Sequence, residues 1–308
     1  MNKPNLGRKV INSRGLLFLL VIPFVYVLVF NYFPMYCVLM AFKDFSPRRG
    51  ILGSDWVGLY NFKRFFSSPN FFLILRNTVL VGLYGLATGF PFPIILAIFI
   101  NHCFLYRIRK VVQTITFAPY FFSAVVLVGL MSQILGMSSG GVNTLIRYLG
   151  MEPVNFLGSA ALYPHLNVWS GVWQHTGHGA IIYISALAAV DPTYHEVAMI
   201  DGANLWQRVY HIDLATIRPI VVIMLILAIG SIMTRLSFEK AYLLQNPMNI
   251  STSEIISTYV YKVGLGIGGN RADYSFGTAI GLFQNIVGVI LTLTVNQIAN
   301  MLSGEGMF

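Results

Sequence analysis

Between residues 166 and 189 of this 308-residue chain lies an uncharged run dense in groups that can hold a polar ligand. Trp169, Gly171, Trp173, Gln174, His175, Gly177, His178 and Tyr183 all fall within it. Gly171, Gln174, His175 and His178 recur at intervals of three and four residues, which gathers them on one face if the run is helical. Aromatic faces for stacking, beside amides for hydrogen bonding, suit a ligand with apolar faces and hydroxyl edges. A second reading stands beside this one: interhelical hydrogen bonding for the two histidines, and packing at a lipid boundary for Trp169 and Trp173. Two histidines three apart can share a metal, but neither cysteine nor carboxylate joins them, so no metal site is expected. Catalysis is not expected either. His175 and Ser185 lack a nucleophile–base–acid set, and Gly-Lys never occurs, which removes the phosphate loop. Gly264-x-Gly266-x-x-Gly269 matches the dinucleotide fingerprint as a string, without the strand-then-helix setting that gives it meaning.

A second concentration of chemistry lies in residues 190–218, VDPTYHEVAMIDGANLWQRVYHIDLATIR. Asp191 before Pro192 is a helix start, a capping carboxylate followed by a ring pre-set for the first turn. A short helix is predicted to run through Ile200, and Gly202 then permits a sharp turn. A second amphipathic stretch follows, with Leu205, Val209 and Ile212 on one face. Trp206 and Tyr210, four apart, form an aromatic ridge. Trp and Tyr favour a membrane interface, but interfacial lipid-binding helices are usually basic. Asp191, Glu196, Asp201 and Asp213 make this segment acidic, so docking of another protein is the better reading.

The elements that must carry these groups follow from composition. The chain has 20 basic and 11 acidic residues, 10% charged in all, with 56% hydrophobic residues and a mean hydropathy of +0.69. An ordinary soluble chain carries about a quarter charged residues, so a cytosolic enzyme, a disordered regulator and a nucleic-acid binder all fit poorly, despite the net charge of +9. Uncharged runs of membrane-spanning length place helices near 16–42, 72–100, 111–135, 166–189, 219–237 and 275–301. They are too long for barrel strands, and lipid demands internally satisfied backbone. The first is too long, and lacks the small-x-small site, for a cleaved signal peptide. The fold class is therefore an all-α integral membrane protein with six transmembrane helices. Residues 16–302 form the membrane domain, between an N-terminal tail, 1–15, and a C-terminal tail, 303–308. Gly85-x-x-x-Gly89 and Gly277-x-x-x-Gly281 suit close helix packing. Charge alone leaves orientation open: nine basic residues fall on the side of the termini and eleven on the other, close to a tie under the positive-inside rule.

The acidic loop carries a specific resemblance. Glu196-Val197-Ala198-x-x-Asp201-Gly202-Ala203, then Ile212-x-Leu214 and Pro219, resembles the EAA motif of permease subunits in ATP-binding-cassette (ABC) importers. Val197 stands where a second Ala is usual, and Ala215 where a Pro follows Leu214. Tyr32-Phe33-Pro34-Met35-Tyr36 with Ala41-Phe42-Lys43-Asp44-Phe45, Gly58-Leu59-x-Asn61-Phe62 ahead of Asn77-Thr78, Pro119-x-Phe121-x-Ser123 and Asn246-Pro247 are similar to the maltose-like branch, in its polysaccharide-fragment sub-branch.

The resemblance implies a type I importer permease fold with a cytoplasmic coupling helix between spans four and five. The loop would enter a cleft of an ATPase through Glu196, Ala198, Asp201, Gly202, Ala203, Trp206 and Tyr210. Expected partners are a second homologous permease, two ATP-binding-cassette ATPase subunits, an extracytoplasmic solute-binding protein and membrane lipid, with no nucleic acid. No cofactor is expected on this chain; ATP and Mg belong to the ATPases. The location implied is the bacterial cytoplasmic (inner) membrane, with both termini cytoplasmic. The substrate path would take in Gly171, Trp173, Gln174, His175, His178, Ser231 and Arg235. Arg235 either pairs with Glu239 or, with the two histidines, faces an anionic sugar such as a uronic-acid oligosaccharide. The alternative is a stand-alone secondary transporter or channel for a small polar solute. Internal repeats and charged mid-membrane residues would mark such a carrier, whereas spans three and six carry no charge and span two only Arg76 at its start.

Overall fold

The computed structural model describes residues 14–234, 237–269 and 271–303. Among these the elements are helical apart from one antiparallel ribbon, Lys43–Asp44 against Asp55–Trp56. Four helices are long and apolar enough to cross a membrane: Phe18–Phe42, Phe71–Asn101, Leu205–Gly230 and Tyr274–Met301. A bent pair, Tyr106–Phe121 and Ala124–Leu135, makes a fifth if counted as one span. The helix expected near 166–189 is Tyr163–Leu187, 25 residues long. At about 1.5 Å per residue it matches a hydrocarbon core of about 30 Å. The same polar residues that mark it in the sequence keep it below the apolarity of the other four.

Two boundaries differ from the sequence reading, each for a local reason. The 111–135 run bends by 102°. Pro119 sits in a tight 3₁₀ turn, Ala118–Phe121, Phe122 is extended, and the Ser123 hydroxyl caps a new helix by accepting the Val126 N–H at 3.3 Å. The run expected at 219–237 instead begins inside the acidic loop, passes through a π turn at Val209–Asp213 and ends at Gly230. The second half of the loop is therefore the start of an apolar rod.

The chain divides into two compact units. The first comprises residues 1–66 and 262–282. Its Phe18–Phe42 rod buries none of its most apolar window, and an apolar surface of that length requires a non-aqueous neighbour. The motif residues Gly58 and Asn61 build the turn after the ribbon. The Gly58 N–H reaches the Phe42 carbonyl at 3.1 Å, and the buried Asn61 amide donates to the carbonyls of Ala41 at 3.0 Å and Lys43 at 3.3 Å. Arg64 pairs with Asp273 and lies 4.1 Å over the Phe276 ring.

The second unit comprises residues 67–261 and 283–308. Its main core joins three helices through Ala97, Ala180, Tyr183, Leu187 and Ile217. A second cluster packs Leu127, Val128 and Met131 on Tyr163 and Leu244, and a third packs Val81 on Val168 and Val172. The motif pair Asn77-Thr78 is buried and holds the chain after the fifth apolar run. Asn77 donates to the carbonyls of Ser251 and Glu254, and the Thr78 hydroxyl accepts the Ile256 N–H at 3.0 Å. Asn246 does the same work farther along, donating to the Leu157 carbonyl at 2.8 Å.

Candidate functional site: a polar cavity and an exposed loop

The helix Tyr163–Leu187 turns one face toward a cavity of about 300 Å³ within the second unit. Gly171, Gln174 and His175 line it, with Asn167 one turn earlier. Val81, Gly82, Gly85 and Gly89 form another wall, so the Gly85-x-x-x-Gly89 pair leaves space here. Gln174 is buried and donates to the Phe122 carbonyl, at the bend between the paired helices, at 2.8 Å. That bend thus places an extended segment against the polar helix.

The remaining wall comes from Ser237, Glu239 and Lys240. Lys240 is 7% exposed, and its Nζ donates to the Asn167 carbonyl at 2.7 Å. Among the described residues no carboxylate lies within 4.0 Å of that ammonium. Burial pushes its pKa down to about 8. Gly171 makes room for it: a β-carbon there would stand 2.9 Å from Nζ. Sequence reasoning includes Lys240 only among the eleven basic residues on the side away from the termini.

The other expected path residues lie elsewhere. His178 stacks on Tyr120 with ring centroids 3.8 Å apart, in a group with Phe117, and does not line the cavity. His175 meets the edge of the same Tyr120 ring at 5.9 Å. Trp173 is half exposed beside Phe122. Ser231 lines a separate pocket with Gly179, Tyr183 and Leu227, its hydroxyl donating to the Ala228 carbonyl at 3.1 Å. Arg235 lies outside the described residues, and its pairing with Glu239 with it. Trp169 donates to the Tyr84 hydroxyl at 2.8 Å, which also contacts His165 Nδ1 at 2.9 Å.

The acidic loop is built by capping chemistry. The Asp191 carboxylate accepts the Thr193 N–H at 2.9 Å, which holds its pKa below the usual carboxylate value. Pro192–Ile200 is the helix that follows. It ends in a Schellman turn: the Gly202 N–H reaches the Met199 carbonyl at 3.1 Å and the Ala203 N–H the Ala198 carbonyl at 2.8 Å. Gly202 has φ +81°, a conformation that penalises any β-carbon. Asn204 and Gln207 then form a reciprocal capping box, at 2.7 and 2.9 Å, that starts the next helix. The sequence signal for this box, Asn three before Gln, went unread.

Glu196 and Asp201 are exposed, as are Val197, Met199, Ile200, Trp206 (75%) and Tyr210 (68%). Carboxylates and large apolar side chains thus share one open surface. Asp213 does not belong to it. The sequence placed it among the acidic docking residues, whereas its side chain is 0% exposed and held between two imidazoles, with His102 at 2.6 Å and His195 at 3.3 Å. A carboxylate withdrawn from water needs a donor; His102 hydrogen-bonds one oxygen, while His195 lies within ion-pair distance of the other without a hydrogen bond.

Comparison with known proteins agrees with this architecture. No family model matches the chain. The Polygalacturonan/rhamnogalacturonan transport system permease protein YteP of Bacillus subtilis is 40% identical over 95% of this chain and 90% of its own length. Protein LplB of the same organism is also 40% identical, over 95% and 91%. The arabinooligosaccharides transport system permease protein AraP of that organism is 29% identical over 94% and 90%. Among solved structures, a chain of a bacterial alginate ABC transporter in complex with its alginate pentasaccharide-bound periplasmic protein superposes with a TM-score of 0.86 at 31% identity, covering 97% of this chain and 99% of that one. Coverage this complete, at this identity, with apolar helices throughout, makes the chain a multi-pass membrane protein that belongs to the permease proteins of ABC transport systems for sugars and polysaccharides.

Proposed function

We propose that this chain is one of two permease subunits of an ATP-driven importer for acidic oligosaccharides in a bacterial cytoplasmic membrane. In this reading it has six spans, counting Tyr163–Leu187 and the bent pair as one each, and both termini are cytoplasmic. The loop 190–218 is its coupling element. Glu196, Asp201, Trp206 and Tyr210 meet an ATPase subunit, while Ala198, Gly202 and Ala203 shape the turn that presents them. ATP and Mg are held by the two ATPases, and a solute-binding protein delivers substrate from outside.

The observation that carries the substrate class is Lys240: a buried ammonium on the cavity wall, with a single backbone acceptor and no carboxylate partner among the described residues. Buried charges are usually paired, so a substrate carboxylate is the complement that such a site lacks. Gln174 and His175 on the adjoining wall suit sugar hydroxyls. Two relatives support the same class through the substrates they are named for, polygalacturonan for YteP and the acidic polysaccharide alginate for the solved importer.

The test is vesicle reconstitution with the second permease, the ATPase subunits and the binding protein, assayed for uptake of oligogalacturonate and of a neutral arabino-oligosaccharide. The acidic sugar should accumulate only with ATP, and Glu196→Lys and Gly202→Pro should each release the ATPase. Retention of both ATPase and ATP-dependent uptake in the two variants would remove the coupling role. Uptake without ATP would favour a self-sufficient carrier.

A further inference from the structure

Three side chains from distant stretches of sequence meet around Asp213. His102 caps the end of the helix Pro91–Asn101, and its Nε2 contacts Asp213 Oδ2 at 2.6 Å. His195 stands on the loop helix Pro192–Ile200, and its Nε2 lies 3.3 Å from the other oxygen. The imidazole rings are nearly perpendicular, 5.7 Å apart. Asp213 itself closes the π turn Val209–Asp213, just before the rod continues toward Gly230.

Its placement matters because of what the loop helix lacks. Among the described residues, the His195–Asp213 contact is the one side-chain polar contact that Pro192–Ile200 makes beyond residues 191–203. Its remaining side chains are exposed or half-buried. A push on the exposed surface therefore reaches Asp213 through His195, and from Asp213 the short His102 contact leads to the end of the span Phe71–Asn101, whose earlier residues Val81, Gly82, Gly85 and Gly89 line the cavity. The carboxylate is acceptor-only and has one oxygen for each ring.

We propose that Asp213 is a positioning residue for transport: it joins the loop helix to the helix ending at Asn101, so that displacement of the first moves the second. The inference rests on the reading of 190–218 as the ATPase-coupling loop. It does not depend on the sugar.

The experiment measures ATP hydrolysed per oligosaccharide imported in the reconstituted complex, for Asp213→Asn, His102→Gln, His195→Gln and the double histidine variant. Asp213→Asn should keep its ATPase subunits yet raise that ratio by about tenfold, the scale of a lost hydrogen bond to a charged group. Because both rings act through one carboxylate, the double histidine variant should be no worse than the more impaired single one. A ratio within about twofold of the parent for Asp213→Asn overturns the joint. If that variant does not assemble, the histidine series decides, and independent, multiplying effects of the two rings overturn the joint. The underlying reading fails by a different sign, retention of ATPase subunits by Glu196→Lys and Gly202→Pro, and the joint falls with it. Loss of ATPase in those two variants together with an unchanged ratio in Asp213→Asn sinks the joint alone.

Discussion

The Lys240 ammonium lies 2.7 Å from the Asn167 carbonyl, across a helix face on which Gly171 leaves it space. This relationship joins a short helix late in the chain, Phe238–Leu244, to the polar helix that drew attention from sequence. If the ammonium meets a substrate carboxylate, Lys240→Met should weaken uptake of oligogalacturonate by about ten- to a hundredfold, the range for losing a hydrogen bond to a charged group. Neutral oligosaccharide uptake should change little. Equal loss for both sugars would show that Lys240 supports the wall and does not select the charge.

The same residue gives a pH signature. Burial lowers its pKa from 10.5 to about 8, so it is charged below that pH and neutral above. KM for the acidic sugar should therefore rise as pH climbs through about 8, while KM for a neutral sugar stays level. Stability moves the other way. Between about 8 and 10.5 the unfolded chain binds the proton more tightly, so this group adds stability as pH rises. A KM profile flat across this interval would contradict the assignment.

What could be read from sequence divides along a physical line. Asp191-Pro192 and Gly202 were legible because caps and turns are local chemistry, decided within a few residues. Pro119 and Ser123 held the signals of the bend, yet the uncharged run around them reads as one span. Asp213 was misplaced because its surroundings include His102, 111 positions earlier. Lys240 was missed for the same reason: only the tertiary fold brings residue 240 beside Asn167. The helical spacing did place Gly171, Gln174 and His175 on the cavity, but it carried His178 with them, and the aromatic group at Phe117 and Tyr120 holds that ring instead.

Gly171 tests the cavity without altering a charge. A β-carbon there would stand 2.9 Å from the Lys240 Nζ, so Gly171→Ala must shift a flexible side chain and Gly171→Leu must occupy the cavity. Uptake of the acidic sugar should fall modestly in the first and by more than about tenfold in the second, where overpacking also acts. ATPase retention should be unchanged in both. A Leu variant that transports normally would mean that substrate does not pass this face.

The loop offers a graded test of shape against charge. Gly202→Ala keeps every charged group but places a β-carbon on a residue at φ +81°, a cost of about 1–2 kcal/mol. Asn204→Ala removes the side-chain half of the capping box, worth about 0.5–2 kcal/mol. Both act on the exposed turn between the two helices, outside the buried cores, so thermal unfolding of the membrane unit should move little. If the ATPase reads the turn as a rigid shape, each variant should weaken ATPase retention in co-purification, and the pair together should weaken it further. If it reads only the carboxylates, Glu196→Gln should release the ATPase while Gly202→Ala and Asn204→Ala retain it. The order of the three variants in one pull-down therefore separates a shaped socket from a charged one.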